Sequence, residues 1–355
     1  MEKRLDSRFQ SIDLAKGCAI LWVFLIHSQA LGETRSFLYI VNQAVPVFVV
    51  LFGVNSELWW RRHGALGEWY AGRFRRIVVP MWAAVAVWWA LALYLRPLTV
   101  TLTRRLALWH LAGYLTEIGT GWFITMILQF VLVFPLLHVT ARRWGPLPLL
   151  AVGVVVTAAC AVFQFRLMAL LRGFGPLPGE VRQEFLNLYV FAPRFLAHVA
   201  FGIVLAPRVR ELGIGAGAVA LGAYVGCVAL ARGTLGPAVA AAGGSLIGLP
   251  LTVVLLAGFN VAPRVPLATP ALAWLGRSSY GLYLGQLLVH NAFVFVYGIA
   301  LYSGQLNLWL WPLNLWLYTF VLMVGALFFV ALGEAALRLV EALRRGGLPL
   351  PSLAR

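Results

Sequence analysis

The sequence predicts an all-α, polytopic membrane protein, a helical bundle of about ten transmembrane helices. Hydrophobic residues make up 61% of the 355 residues and charged residues only 11%, which is too little polar surface for a water-soluble protein. The apolar residues form runs long enough to cross the hydrocarbon core, which takes about 20 helical residues. Basic residues lie in short clusters between these runs, as in membrane proteins whose topology is fixed by charge.

Ten apolar runs reach spanning length, and we expect each of them to form a helix. Their limits lie near 14–32, 38–60, 77–95, 121–140, 147–170, 186–206, 213–231, 237–258, 272–298 and 309–335. With the N-terminus in the cytoplasm, most of the 28 Lys and Arg residues fall in cytoplasmic segments. This predicts a multi-pass protein of the plasma or inner membrane with both termini cytoplasmic. The first run is not followed by a cleavage site, so we expect it to be retained.

The sequence predicts one membrane domain, residues 1–345, followed by a short tail, residues 346–355. The net charge of +16 is dispersed over small clusters, which argues against nucleic-acid binding. There is no Walker loop and no metal-ligand spacing, so we expect no metal. The longest polar stretch on the outer side, from Arg172 to Arg194, is either a substrate-facing loop or a connector.

The first run carries residues that can do chemistry. Asp13 and Lys16 stand at its cytoplasmic start, and His27 follows eleven residues after Lys16. At about 100° per residue, eleven steps end about 20° past three full turns, so Lys16 and His27 share one helix face, roughly 16 Å apart along the axis. A histidine inside a span is a candidate for proton transfer. It can also make a hydrogen bond between helices, and the spacing alone leaves both roles open.

The loop after the second run carries five arginines, namely Arg61, Arg62, Arg73, Arg75 and Arg76. Arginine forms bidentate hydrogen bonds to phosphate, so the cluster could hold a phosphorylated donor. The positive-inside bias and contact with anionic lipids explain the same cluster without a substrate. Composition alone favours this second explanation.

Taken in order, these segments resemble acyltransferase family three, ten-helix membrane proteins that acylate surface glycans and small hydroxylated acceptors. The family's basic residue, ten intervening residues and histidine in span one are matched by Lys16 and His27, with Asp13 at the aspartate that commonly precedes them. The stretch VPVFVVLFGV resembles the phenylalanine-rich stretch that runs into a glycine in span two. Later segments resemble further motifs: Arg-x-x-Arg and proline at Arg73, Arg76 and Pro80, then WFITMILQFVLVFPLL and SSYGLYLGQ.

Three positions depart from the family pattern. Lysine replaces the usual arginine at position 16, Phe52 replaces the serine before Gly53, and Gln286 stands where many members have a second histidine. Lys16 keeps the charge but loses the bidentate fork. Many members also carry a soluble esterase-like domain, and this sequence shows none, so we expect the chain to act alone or with a separate periplasmic or extracellular acceptor protein.

The resemblance implies an acyltransferase with acyl-CoA, most simply acetyl-CoA, as co-substrate. It implies that Lys16, Arg73 and Arg76 hold the phosphates of coenzyme A. His27, with Asp13, is implied as catalytic, either as the general base for an acceptor hydroxyl or as a brief covalent carrier of the acyl group. The acceptor side is expected to include Trp122, Tyr280 and Gln286. The acceptor itself, a glycan, a glycolipid or another hydroxylated molecule, stays open, as does the oligomeric state.

Two other classes of protein compete with the enzyme. A transporter or flippase could use Lys16 and His27 as a substrate or proton relay, although the hydropathy shows no inverted repeat. A membrane scaffold could use the arginine cluster to contact membrane lipids. Consumption of a thioester separates the enzyme from both.

Overall fold

The computed structural model describes residues 10–28, 39–95, 110–113, 121–163, 191–233, 235–262, 264–297 and 319–331, with 108, 333 and 335; for 27–28, 91–95 and 291–297 only the backbone is described. Over this part of the chain the regular secondary structure is helical throughout, which confirms the predicted all-α class. The helices are α1 (Gln10–Ser28), α2 (Ala44–Trp60), α3 (Leu66–Arg73), α4 (Val79–Leu95), α5 (Trp122–Trp144), α6 (Pro146–Val162), α7 (Leu196–Leu205), α8 (Ile214–Ala231), α9 (Pro237–Leu246), α10 (Gly248–Val261), α11 (Ala268–Arg277), α12 (Ser279–Tyr297) and α13 (Thr319–Ala331).

Four of the described helical stretches are long and apolar enough to cross a membrane. They are Tyr39–Trp60, Trp122–Trp144, Ile214–Ala231 and Pro237–Val261. The described helices coincide with parts of all ten predicted runs, but the number of about ten spans stays a prediction. The tail 346–355 and most of the predicted loop from Arg172 to Arg194 lie outside the described residues.

The ninth predicted run requires a correction. The sequence predicts one helix over 272–298, whereas the structure has two, α11 and α12, which meet at Ser278. The backbone N–H of Ser278 donates to Trp274 at 2.9 Å, and its carbonyl accepts from Leu282 at 2.9 Å. Ser278 has φ −86° and ψ 2°, outside the helical region, so it closes one helix and starts the next. Serine is well suited to such a boundary.

Glycines bring α11 into backbone contact with α1. A Cβ added at Gly276 would overlap the carbonyl oxygen of Asp13, and one added at Gly17 would overlap that of Leu272. Small residues on both helices allow this close approach, as is common between membrane helices. The crossing places Arg277, the last residue of α11, beside the start of α1.

A second glycine crossing joins α2 to α7. A Cβ at Gly53 would lie 2.5 Å from the carbonyl oxygen of Val199, and a Cβ at Gly202 would overlap that of Val50. Gly53 is the glycine at the end of the phenylalanine-rich stretch. Its structural reason is therefore close helix packing. The preceding Phe48 and Phe52 line a cavity.

We expect Gly276→Ala to lower the stability of the fold, because the new Cβ must push α11 away from Asp13. Overpacking of this kind costs about 1–3 kcal/mol. The matched control is Gly222→Ala in α8, where an added Cβ meets nothing within 4 Å and alanine favours the helix. Thermal unfolding of the purified variants in one detergent measures the difference. Equal melting temperatures would contradict the proposed close contact.

Candidate active site

The predicted anion-binding residues meet in one cavity of about 630 Å³. Lys16, Arg73 and Arg76 line it, and so does Arg277, which the sequence analysis did not single out. We call this the basic cavity. No carboxylate is among the described residues that line it, and its other walls are mostly aromatic and aliphatic. Four basic side chains therefore line this site, which is a favourable arrangement for a polyanion.

Aromatic rings hold Arg73 in place. Its guanidinium carbon lies 4.2 Å from the ring centroid of Trp69 and 5.8 Å from that of Phe52, within the range of a cation–π interaction. Trp69 is buried, and its Nε1 donates to the carbonyl of Val131 at 3.0 Å. That carbonyl is available because Pro135, four residues later in α5, has no N–H to donate. Burial and the neighbouring Arg76 lower the pKa of Arg73 to about 10, so it stays charged at neutral pH.

The segment that carries both predicted arginines is irregular. A π-helical turn, Phe74–Val78, joins α3 to α4. Pro80 cannot donate to the carbonyl of Arg76, so regular helical bonding fails at this point, and π turns of this kind are frequent at functional sites. The hydroxyl of Tyr280 donates to the carbonyl of Ile77 at 2.8 Å. Tyr280 therefore fastens α12 to the segment that presents Arg73 and Arg76.

Asp13 and Arg277 form an ion pair at the edge of the basic cavity. The distance from Arg277 Nη1 to Asp13 Oδ2 is 3.6 Å. Asp13 lies fourteen positions before His27 in the same helix, about 21 Å along the axis at 1.5 Å per residue. The structure thus places this aspartate with the cations, at the opposite end of α1 from the histidine. Its catalytic role stays a prediction.

A second cavity, of about 390 Å³, adjoins the basic cavity and shares two lining residues with it. Its polar lining residues are Asn42, Gln43, Arg194 and Ser245, and Trp122 contributes an aromatic face. The Trp122 ring is stacked on Phe195, with centroids 6.4 Å apart. The predicted residue Trp122 is therefore on this cavity and away from the four cations.

Two aromatic residues line both cavities. They are Phe123 and Tyr283, whose ring centroids are 5.2 Å apart in an edge-on arrangement. Phe48 packs against Phe123 on the side of the basic cavity, at 6.0 Å. We call Phe123 and Tyr283 the aromatic partition, because these side chains form the shared wall between the two cavities.

One stripe of α1 runs past both cavities. The helix is continuous from Gln10 to Ser28, so the predicted common face of positions 16 and 27 holds for the backbone. Lys16 lines the basic cavity, and Val23, seven residues on and within about 20° of the same face, lines the second cavity. Position 27 is one turn beyond Val23 on that stripe, while the side chain of His27 lies outside the described residues.

The three residues predicted for the acceptor side do not share a cavity. Tyr280 lines the basic cavity and Trp122 lines the second. Gln286 is fully buried in α12 and is not among the described lining residues of either cavity. Two of the three therefore face cavities, on opposite sides of the aromatic partition.

A hydrogen-bonded cluster of Arg61, Glu57 and His138 lies at the arginine-bearing end of α2, and the sequence shows only half of it. Glu57 accepts from Arg61 Nε at 2.8 Å, which is visible in the sequence as a pair four residues apart. Its other oxygen lies 2.7 Å from His138 Nδ1, and both residues are buried. This contact crosses from α2 to α5 over 81 positions of sequence, and no local pattern predicts it. The cluster holds together the two helices that bear Phe52 and Phe123.

The comparisons with known proteins give one match. The model of acyltransferase family 3, described as an acyltransferase domain, matches residues 9–334. This range covers nearly the whole chain and includes every residue that lines the two cavities. Neither a curated protein nor a solved structure matches the chain.

Proposed function

Since the chain belongs to acyltransferase family 3 and is a membrane acyltransferase, we propose that it moves an acyl group from cytoplasmic acyl-CoA to an acceptor hydroxyl. The acyl group is acetyl in the simplest case, and the acceptor is a glycan, a glycolipid or a related hydroxylated molecule. The observation that carries this proposal is the basic cavity, in which Lys16, Arg73, Arg76 and Arg277 meet.

The basic cavity fits the charged part of coenzyme A. That molecule carries a pyrophosphate and a 3′-phosphate, and three arginines supply forked donors for phosphate oxygens while Lys16 supplies a point charge. Trp59 and Phe52 also line this cavity, and such rings can stack on a nucleobase. The departure at position 16, lysine for the family's arginine, is offset here by Arg277.

One face of α1 connects the proposed phosphate site to the proposed reaction site at His27. The thioester arm lies along the face that joins Lys16 to position 27 and passes the aromatic partition. His27 then takes the proton of the acceptor hydroxyl while the hydroxyl oxygen bonds to the thioester carbonyl carbon. The C–S bond breaks, and the protonated His27 gives its proton to the coenzyme A thiolate. In the covalent variant, the His27 imidazole first accepts the acyl group and passes it to the hydroxyl.

The second cavity suits a hydroxylated acceptor. Trp122 offers a flat apolar face, and Asn42, Gln43 and Ser245 offer both donors and acceptors. Such a mixture is typical of pockets that orient a polar ligand with a few hydrogen bonds. Three arginines and Lys16 line the basic cavity, whereas Arg194 is the one basic residue among the described lining residues of the second cavity. The positive-inside rule therefore favours a cytoplasmic basic cavity and a second cavity toward the outer side. We keep both termini in the cytoplasm on this basis.

The direct test measures donor recognition and donor consumption on the purified chain. We expect coenzyme A to raise the melting temperature, and dephospho-coenzyme A, which lacks one phosphate, to raise it less. We also expect acetyl-CoA to be consumed when a hydroxylated acceptor is supplied. Transport of an unmodified solute without thioester consumption would instead support the transporter.

We expect the aromatic partition to protect the thioester from water. Phe123→Ala should open the shared wall, admit water to the thioester and raise acceptor-independent hydrolysis of acetyl-CoA by roughly tenfold, since closed sites protect reactive groups from water. The matched control is Phe328→Ala in α13, where the phenylalanine is exposed and lines neither cavity. Free thiol release in the absence of acceptor measures the effect. Hydrolysis at the wild-type rate in Phe123→Ala would argue against a partition.

A further inference from the structure

A third cavity has no part in the proposed acyl transfer. It is a groove of about 820 Å³ between α5 and the segment from α3 to α4, and we call it the lateral groove. At one end it is lined by Tyr70, Arg73 and Arg75, and farther along by apolar residues that include Val78, Met81 and Leu128. It is thus charged at one end and apolar along its length.

Three arginines that are close together in the sequence line different cavities. Arg76 lines only the basic cavity, Arg75 lines only the lateral groove, and Arg73 lines both. Arg75 Nε donates to the carbonyl of Ala71 at 3.2 Å, which lays the side chain along the charged end of the groove. No carboxylate is among the described residues that line the groove. Its charged end is therefore complementary to an anion.

The groove opens sideways. Phe74, Leu111 and Leu132, which line it, are 44%, 43% and 65% exposed. Exposed apolar side chains on a membrane bundle face lipid tails. The groove is therefore open toward the hydrocarbon region along its apolar length, and its charged end is formed by Arg73 and Arg75.

Side-chain hydrogen bonds hold the walls of the groove. Trp82 Nε1 donates to the carbonyl of Leu111 at 2.8 Å, and Thr125 Oγ1 donates to that of Gly113 at 2.8 Å. Near the charged end, the hydroxyl of Tyr70 donates to the carbonyl of Leu132 at 2.9 Å. These bonds tie together three helices, α3, α4 and α5, and the segment 110–113, so the groove is a built feature of the fold.

We propose that the lateral groove binds one anionic glycerophospholipid. Its phosphate lies on Arg75, and an acyl chain lies along Val78, Met81 and Leu128. Anionic lipids are attracted by arginines at the membrane surface, and guanidinium groups pair well with phosphate oxygens. The lipid contacts the π turn that follows Arg73 and contains Arg76, so it stabilises the segment that shapes the basic cavity. This site shares Arg73 with the proposed donor cavity, but its lipid phosphate lies on Arg75, which lines the groove and is not among the lining residues of the basic cavity.

The test uses the full-length chain, purified in a neutral detergent and depleted of lipid. Its melting temperature is measured with added phosphatidylglycerol, phosphatidylcholine or inorganic phosphate, for the wild type, Arg75→Gln and Arg143→Gln. Arg143 is an exposed arginine near the end of α5 that does not line the groove, so it is the matched control. A further variant, Ala112→Trp, fills the apolar part of the groove and leaves Arg75 in place.

We expect phosphatidylglycerol to raise the melting temperature more than phosphatidylcholine, with no rise from inorganic phosphate alone. The rise should persist in Arg143→Gln and fall by at least half in both Arg75→Gln and Ala112→Trp. Equal rises in all four proteins would overturn the proposal, as would equal rises with the two lipids. A rise with inorganic phosphate that matches the lipid would show an anion site without a lipid. Because coenzyme A is absent, the outcome does not depend on the acyl-transfer proposal.

Discussion

Replacing His27 with alanine is expected to abolish acyl transfer while leaving coenzyme A binding intact. General base catalysis by a positioned histidine contributes roughly 10²- to 10⁴-fold, and a covalent carrier would be lost altogether. The four basic residues of the basic cavity, which we propose bind the donor phosphates, lie around Lys16, about 16 Å away along the axis of α1, so donor affinity should not change. Acetyl transfer to a hydroxylated acceptor gives the rate, and stabilisation by coenzyme A gives the binding.

A buried histidine in another helix provides the control for His27. His198 in α7 is 1% exposed and lines neither cavity. We compare His27→Gln with His198→Gln, since glutamine keeps hydrogen-bonding capacity but cannot act as a base near neutral pH. A large loss of rate only in His27→Gln supports catalysis. Similar losses in both would mean that a buried histidine is needed for packing, and full activity in His27→Gln would remove His27 from the mechanism.

The two proposed roles of His27, covalent carrier and general base, differ in whether an acyl group becomes bound to the protein. If the imidazole carries the acyl group, enzyme quenched during turnover with labelled acetyl-CoA will hold label on the chain, and His27→Gln will hold none. If His27 is only the base, the label will be found in the acceptor and the donor alone. The measurement is denaturing chromatography of the quenched protein.

The sequence predicts the helical class from local patterns, and the family resemblance indicates which basic residues belong together. Apolar runs of spanning length indicate membrane helices, and a fixed spacing on a regular helix sets the common face of Lys16 and His27. Arg73 and Arg76 stand three apart in a short motif. The structure brings these two arginines and Lys16 into one cavity, although their helices are separated by a whole span and a loop.

Other features depend on tertiary contacts that no local pattern reveals. In the sequence, Arg277 is one of many dispersed basic residues. Only the close backbone contact between α1 and α11 at their glycines places it beside Asp13. The break at Ser278 is hidden inside an apolar run. The aromatic partition joins Phe123 in α5 to Tyr283 in α12, and either residue alone resembles ordinary core. Gln286 has the polarity of a substrate contact, yet helix packing buries it.

Replacing Arg73 with alanine is expected to give the second large effect, a weaker affinity for the donor. Hydrogen bonds to charged groups contribute about 1.5–3 kcal/mol, so KM for acetyl-CoA should rise by roughly ten- to a hundredfold. The effect should be larger than for Arg76→Ala, because Arg73 is the arginine fixed over Trp69 and Phe52. The measurement is initial rate against acetyl-CoA concentration, together with stabilisation by coenzyme A.

Arg73→Lys separates the charge of Arg73 from its shape. Lysine keeps the positive charge but loses the fork and the planar stacking surface, so it should restore only part of the affinity. Arg143→Ala, at an exposed position outside the basic cavity, should leave KM unchanged. Added salt should raise KM of the wild type more than that of Arg73→Ala, because screening weakens a phosphate contact that the variant lacks. An unchanged KM in Arg73→Ala, with coenzyme A still stabilising the protein to the same extent, would show that the donor phosphates lie elsewhere and that the four cations serve topology alone.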